Sequence, residues 1–158
     1  MAIKIIPNFT KTQITEVLEK RRENLGKAIL LRFQRIGETF VTNARNNGNY
    51  KDHTGNLRSS IGYVILKDGE QLFENFKSFP SVDPKAEGTS VGSENAKAAI
   101  DDIAQQFPTG FVLIVVAGMD YAAAVESKNY DVLTSSSLIA ESELKTAIGT
   151  IQGKLNAV

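Results

Sequence analysis

The apolar residues Ile14, Val17, Leu18, Leu25, Ile29, Phe33, Ile36, Phe40 and Ala44 recur at helical spacing over the first third of the chain. Taken as one helix, Lys11–Arg45 is about 52 Å long at 1.5 Å per residue. A compact globule of 158 residues has a radius of gyration near 15 Å, so its diameter is only about 40 Å. Either the helix breaks near Lys20–Asn24 and Gly26, or it projects beyond its own domain. A projecting helix with apolar residues needs a partner subunit, which makes this stretch a first hint of assembly; a kink is the plainer alternative. Its start is well marked. Thr10 and Gln13 fit a capping box, with Phe9 and Ile14 at the flanking staple positions, and Asn46-Asn47-Gly48-Asn49 stops it.

The remaining pattern mixes strands and helices. Leu57–Leu66 reads as a strand with Ile61, Tyr63 and Ile65 on one face. Lys67-Asp68-Gly69-Glu70 is a turn signal, and Gln71–Phe76 returns as the second arm of a hairpin. Residues 77–92 are rich in Pro, Gly and Ser and are expected to be a long flexible loop. A second helix is predicted from Ser93, with Ala96, Ile100, Ile103 and Phe107 as its apolar stripe. Phe111–Ala117, nearly all apolar, reads as a central strand buried on both faces. Tyr121–Ser127 reads as a helical turn and Asp131–Thr134 as a short strand. The last helix runs from about Ser136 to Leu155, with Leu144, Ile148, Ile151 and Leu155 spaced 4-3-4. The expectation is one α+β domain over residues 1–158, a mainly antiparallel sheet packed by a long N-terminal, a middle and a C-terminal helix.

Composition removes several chemistries. The chain has no Cys, so it offers no disulfide, thiolate nucleophile or Cys-ligated metal, and its one His excludes a multi-histidine metal site. Eighteen basic groups balance eighteen acidic ones, which argues against a general nucleic-acid binder. The longest apolar run, Phe111–Met119, is about half of the roughly 20 residues that span a bilayer, and the N-terminus has a polar break too early for a signal-peptide core. A soluble protein made in a reducing compartment is expected, with no membrane partner and no cofactor.

Candidate catalytic groups are sparse. His53 lies beside Asp52, but chain neighbours seldom point at one another, and a surface loop histidine is the plainer reading. Asp101-Asp102 and Glu141/Glu143 do not share a helix face, so they read as solvated surface. Gly88–Gly92 lacks the Lys and the preceding strand of a P-loop, and Ser59-Ser60 has no nucleophile-elbow context. No enzyme is expected; a small hydrolase using His53 with Asp52 is the enzymatic rival.

Two segments carry more pattern. One is Thr54-Gly55-Asn56-Leu57-Arg58-Ser59-Ser60-Ile61, a turn leading toward a strand. The other is Gly118-Met119-Asp120-Tyr121-Ala122-Ala123-Ala124-Val125-Glu126, a tight exit from the apolar strand into a short helix. In these segments, their order and their separation, the chain resembles the small tail-component and tail-completion proteins of long-tailed bacteriophages. Members show an N-terminal helix, a Thr-Gly-x-Leu-Arg-x-Ser-Ile segment, and a hydrophobic strand closing in Gly-x-x-Tyr-Ala-x-x-x-Glu. The family pattern usually places Gly shortly after that Glu, where this chain has Ser127-Lys128-Asn129. The likeness covers most of the chain and is weakest in residues 1–30 and 77–92.

The resemblance implies a non-enzymatic virion protein, assembled in the bacterial cytoplasm, forming a ring at the neck between portal or closure proteins and the tail tube. Its role there is tail completion, termination or stopping, and the ring size in question is a hexamer or dodecamer. Its partners are then its own copies and the neighbouring head-closure and tail-tube proteins, with DNA only as cargo in the channel. Thr54, Gly55, Asn56, Arg58, Tyr121 and Glu126 become candidate interface residues, joined by Lys20, Arg21 and Arg22 on the first helix. Residues 77–92 and part of the first helix are expected to order only on assembly. A non-viral adaptor module is the rival from the binding class.

The balanced net charge also conceals a gradient. Residues 1–50 carry nine basic and four acidic groups, residues 51–110 six and nine, and residues 111–158 three and five. These halves mate within the chain, mate between neighbouring copies, or are solvated faces that happen to be uneven.

Overall fold

The structure is a computed structural model that describes residues 8–83 and 91–156. Its elements are α1 (Lys11–Asn47), α2 (Asn56–Ser60), β1 (Ile61–Lys67), β2 (Glu70–Asn75), α3 (Val91–Ala104), β3 (Phe111–Ala117), α4 (Ala122–Glu126) and α5 (Thr134–Asn156). The fold is α+β, a three-stranded antiparallel sheet in the order β2-β1-β3 with long helices packed around it.

α1 is one unbroken helix of 37 residues, about 55 Å long at 1.5 Å per residue. No kink relieves the length at Lys20–Asn24 or Gly26, so the projecting alternative holds. Every described residue up to Asn24 is exposed, including Phe9 at 60%, Ile14 at 43%, Val17 at 53% and Leu18 at 58%. Burial begins only at Leu25 and is complete at Ile36, Gly37, Phe40, Val41, Ala44 and Arg45. The free end is closed by the capping box read from the sequence: the Gln13 amide donates to Thr10 Oγ1 at 3.3 Å, and Gln13 Oε1 accepts from the Thr10 amide at 2.8 Å. The helix is therefore formed from Lys11 onward in a single chain, contrary to the expectation that its first part orders only on assembly.

The sheet lies between helices. Ile61, Tyr63 and Ile65 of β1 face the cluster containing Phe40, Val41 and Ala44 of α1, whereas Val64 and Leu66 face Ala96 and Ile100 of α3. β1 is buried on both faces from Ile61 to Leu66 and is the central strand. The central place expected for Phe111–Ala117 is thus corrected: β3 is an edge strand. Its all-apolar run is explained without a central position. Leu113 and Val115 pack against the α1-side cluster while Val112, Ile114 and Val116 pack on the α3 side, so both faces of an edge strand are covered by helix.

Three other boundaries move. Leu57–Ser60 is a helical turn, because the Ser59 and Ser60 hydroxyls donate back to the Gly55 and Leu57 carbonyls and hold the backbone out of the strand. Asp131–Thr134 is no strand but the entry to α5, which begins two residues earlier than expected. In α5 the buried positions are Ser136 and Ala147, the latter against α1, while Ile148 of the anticipated stripe is 45% exposed. The hairpin stands as read. Asp68 and Gly69 both have positive φ, 53° and 82°, as a two-residue type I′ turn demands. Of the expected loop 77–92, residues 84–90 lie outside the described residues and Val91-Gly92 already belong to α3.

α1 approaches the sheet closely at Gly37, where a methyl group would sit 2.5 Å from the ring of Tyr63. That ring is fully buried, stacked on Phe73 at 5.8 Å, and its hydroxyl donates to Glu38 Oε1 at 2.9 Å. Burial, then the Glu38 carboxylate, push the Tyr63 phenol far above its ordinary range, so it acts only as a neutral donor. Gly37→Ala therefore destabilises the protein by about 1–3 kcal/mol despite Ala's better helix propensity, since the ring cannot retreat. Gly149→Ala, where nothing lies within 4 Å, stabilises by up to about 1 kcal/mol. Urea denaturation of the two variants beside the parent checks the opposite signs.

Candidate functional site

The candidate residues fall into three places. The first is the turn Thr54–Arg58. Gly55 takes φ 77°, and a side chain there would also collide with the Phe79 carbonyl. Only glycine meets both demands. α2 then starts with the Asn56 amide donating to Thr54 Oγ1 at 3.3 Å and the Arg58 amide donating to Asp52 Oδ2 at 2.8 Å. Residues 77–83 form a strap over this turn. The Phe79 amide donates to Ser59 Oγ at 2.8 Å, and the Val82 and Asp83 amides both reach the His53 carbonyl at 3.1 Å. The strap buries part of Phe79 beneath three cations: Lys77 at 5.4 Å, Arg58 at 5.5 Å and Arg45 at 5.7 Å from the ring centroid.

The second place is the exit from β3. The Gly118 amide donates to the Ser60 carbonyl at 3.2 Å, and a side chain at Gly118 would strike the backbone of Ala96 in α3. This close passage delivers the Tyr121 hydroxyl close to Thr54. Burial and the nearby Asp52 carboxylate raise the Tyr121 phenol, against the smaller pull of Thr54. The ring stays 42% exposed. The two sequence segments therefore meet: Thr54, Asn56, Arg58 and Tyr121 come together at the surface, while Gly55, expected at an interface, is corrected to a buried position under the Phe79–Pro80 backbone.

Glu126 does different work. Its Oε2 accepts from the amides of Val132 and Leu133 and its Oε1 from the amide of Thr134, each at 3.0 Å, so it caps α5. Partial burial pushes its carboxyl up, but the Thr134 hydroxyl and these three amides outweigh burial and hold it below the ordinary 4.5. The turn after it needs a left-handed residue, and Asn129 supplies one at φ 64°. Asn tolerates that conformation better than other non-glycine residues. The Asn49 side chain accepts from the Asp131 amide at 2.7 Å and donates to the Asn129 carbonyl at 3.4 Å, tying this turn to the end of α1. Glu126 is thus corrected from an interface residue to an internal cap.

Lys20, Arg21 and Arg22 form the third place and join neither of the others. They are exposed on the free part of α1, and Arg22 stands 23 residues from Arg45, about 35 Å along the helix. Sequence reasoning did not find Arg45, Asn75 or Phe79. The Arg45 side chain donates twice to the Ile61 carbonyl, from Nη2 at 2.7 Å and Nε at 3.2 Å, and once to Asn75 Oδ1 at 3.5 Å. The signal available was a single basic residue in the last turn of an apolar helix face.

Asp52 is engaged with the Arg58 amide and no hydrogen bond joins it to the exposed His53 ring, so the two residues form no dyad. Among the described residues no group of three or more His, Cys, Asp or Glu is placed to hold a metal, and no described helix is long and apolar enough to cross a membrane. A groove of about 350 Å³ opens between β3, α1 and α5, lined by Phe33, Phe111, Leu113, Val115, Ala140 and Leu144. Glu141 at its rim is paired with Lys145 at 2.6 Å. No family model matches the sequence, and no curated protein and no solved structure is detectably similar to it.

Two outcomes are expected. Gly55→Ala destabilises by about 2 kcal/mol or more, from left-handed strain together with the collision at Phe79, and denaturant unfolding reads the loss directly. Glu126→Gln costs about 1 kcal/mol at neutral pH, because one accepting carboxylate oxygen becomes an NH2 donor that faces backbone N–H groups. Because the folded Glu126 carboxyl lies below 4.5, its contribution is complete above that value and disappears as pH falls through the depressed folded value. The gap in Tm between parent and Glu126→Gln, about 2–4 °C at pH 7, therefore closes on acidification, and thermal melts at stepped pH values check it.

Proposed function

We propose that this chain is a structural protein of the neck of a long-tailed bacteriophage. In this reading it forms a ring that joins the head-closure complex to the tail tube, in a completion or terminator role, during assembly in the host cytoplasm. The observation that carries the reading is the exposed arm of α1. A helix extending more than three turns past its own core, capped at its free end and bearing Phe9, Ile14, Val17 and Leu18 in water, has no use in a solitary subunit. Apolar side chains that a monomer leaves exposed in a row mark a surface made to be covered. A heterologous contact repeated until it closes builds a ring from one small subunit, and an arm that outreaches the body is suited to such a contact.

The two sequence segments that resemble the tail-component family support the same reading, since Thr54 and Tyr121 lie against each other on one surface. In the assembled neck that surface and the arm are the places for copies of this chain and for the closure and tail-tube proteins to meet, with DNA passing through the channel as cargo. Negative-stain imaging of purified tail tubes incubated with the protein tests the proposal. Rings decorating one tube end are expected. Tubes left bare at every protein concentration, together with capsids left undecorated, would end it.

A further inference from the structure

The charge gradient of the sequence has a direction in the fold. α1 packs on one face of the sheet and α3 on the other. α1 carries eight basic and four acidic groups, four and three of them on its free part up to Asn24, whereas α3 carries one basic and three acidic. The sheet separates these layers by about 20 Å, two sheet-to-layer spacings, which exceeds the roughly 10 Å Debye length at 0.1 M salt. Mating between α1 and α3 within one chain is thus prevented by the sheet, whereas on the α1 side Arg32 and Arg35 share a groove with Glu143 of α5. The ion pairs among the described residues agree: Lys97–Glu74 joins α3 to β2 and Lys145–Glu141 lies within α5, and neither involves α1. Lys20, Arg21, Arg22, Asp101 and Asp102 make no hydrogen bond or ion pair to a described residue and are all exposed.

We propose that the free arm of α1 in one copy lies along the outer face of α3 in the next copy, with Arg21 on the contact line and Lys20 and Arg22 to either side of it, close to Asp101 and Asp102, which flank the α3 contact line in the same way. Charge complementarity selects a second copy as the occupant, because the Lys20-Arg21-Arg22 triplet on the arm and the net acidic α3 belong to the same subunit and form no ion pair with each other within it. Stacking subunits face to back brings them together with one polarity, the heterologous geometry that closes into rings. Apolar surface accompanies the charges on both sides. Ile14, Leu18 and Arg21 follow i, i+4, i+7 spacing on one arm face, and α3 is flanked by Val91 and Phe107, 39% and 40% exposed. The charges set register and encounter rate, and the apolar residues hold the contact.

The inference rests on the ring reading and deepens it, but the two fail separately. Sedimentation velocity in low-salt buffer compares the parent, Lys20→Glu/Arg21→Glu/Arg22→Glu, Asp101→Lys/Asp102→Lys, and an equimolar mixture of the two variants. All substituted positions are on the surface, and circular dichroism of each variant confirms the folded state. Each variant alone is expected to associate about tenfold or more weakly than the parent, since two to three exposed ion pairs become repulsions. The mixture recovers association, because every arm then meets an α3 face of opposite sign. Salt at 0.5 M weakens the parent in the same way. Parent-like association of Asp101→Lys/Asp102→Lys, or a mixture no stronger than its components, overturns the α1–α3 contact while leaving self-assembly standing. A parent that stays monomeric at low salt and high concentration overturns it as well, and decoration of tail tubes then decides the neck reading independently.

Discussion

The buried guanidinium of Arg45 fixes the geometry on which the other elements depend. β1 pairs with β2 only as far as Tyr63 opposite Asn75, so no β2 residue reaches Ile61. Arg45 supplies the missing donors from the last turn of α1, two to the Ile61 carbonyl and one to Asn75. Burial pulls its basicity down, while Glu38, Tyr50 and Tyr63 push the other way. A buried charge left without such acceptors costs several kcal/mol, and a carbonyl left without its donor costs roughly 1–3 kcal/mol. One side chain thus locks a helix end, a strand start and a strand end together, with Phe79 of the strap laid against its face.

That lock makes α1 a cantilever. The helix is held at its C-terminal half by Arg45, by the close approach at Gly37 and by Phe40, Val41 and Ala44, and no described residue covers its first turns. The same clamp sets the direction in which the arm leaves the body. The Thr54–Arg58 turn and Tyr121 gather near the clamped end, and the basic triplet lies near the free end. The two expected groups of interface residues are therefore separate surfaces at opposite ends of one lever, which suits a subunit that must touch more than one neighbour.

What the sequence revealed was whatever is encoded locally. The α1 period, its capping box and the Asp68-Gly69 turn each involve residues within a few positions of one another, and each formed as read. The errors share a different cause. Strand order is decided by which elements cover a face, so an apolar run between two helix layers reads the same at an edge as at the centre. Glu126 was expected at an interface from the resemblance, and its capping role stayed hidden because its donors lie six to eight residues away across a turn. The meeting of Thr54 with Tyr121 was foreshadowed by two separate patterns, but their contact depends on the passage of Gly118 against Ala96, which no spacing rule encodes. His53 and Asp52 illustrate the converse, since adjacency in sequence placed the carboxylate on the Arg58 amide and the imidazole in solvent.

The rigidity of the arm bears on how assembly is achieved. A peptide of fourteen residues is at the margin of helix formation in water, because nucleating the first turn is costly. Here the packed half of α1 provides the nucleus, and the Thr10–Gln13 capping box satisfies the far end, so the arm needs only propagation. An arm already helical loses little conformational freedom when a neighbour covers it, whereas a segment that folded on contact would lose a large part of its binding energy to ordering. In the proposed ring the apolar residues can then be few and the charges solvent-exposed, since a contact too weak to hold one pair of subunits is reinforced when it repeats around a closed ring. Preorganisation of the lever, rather than a large apolar patch, is the feature by which a subunit of this size would join such a ring.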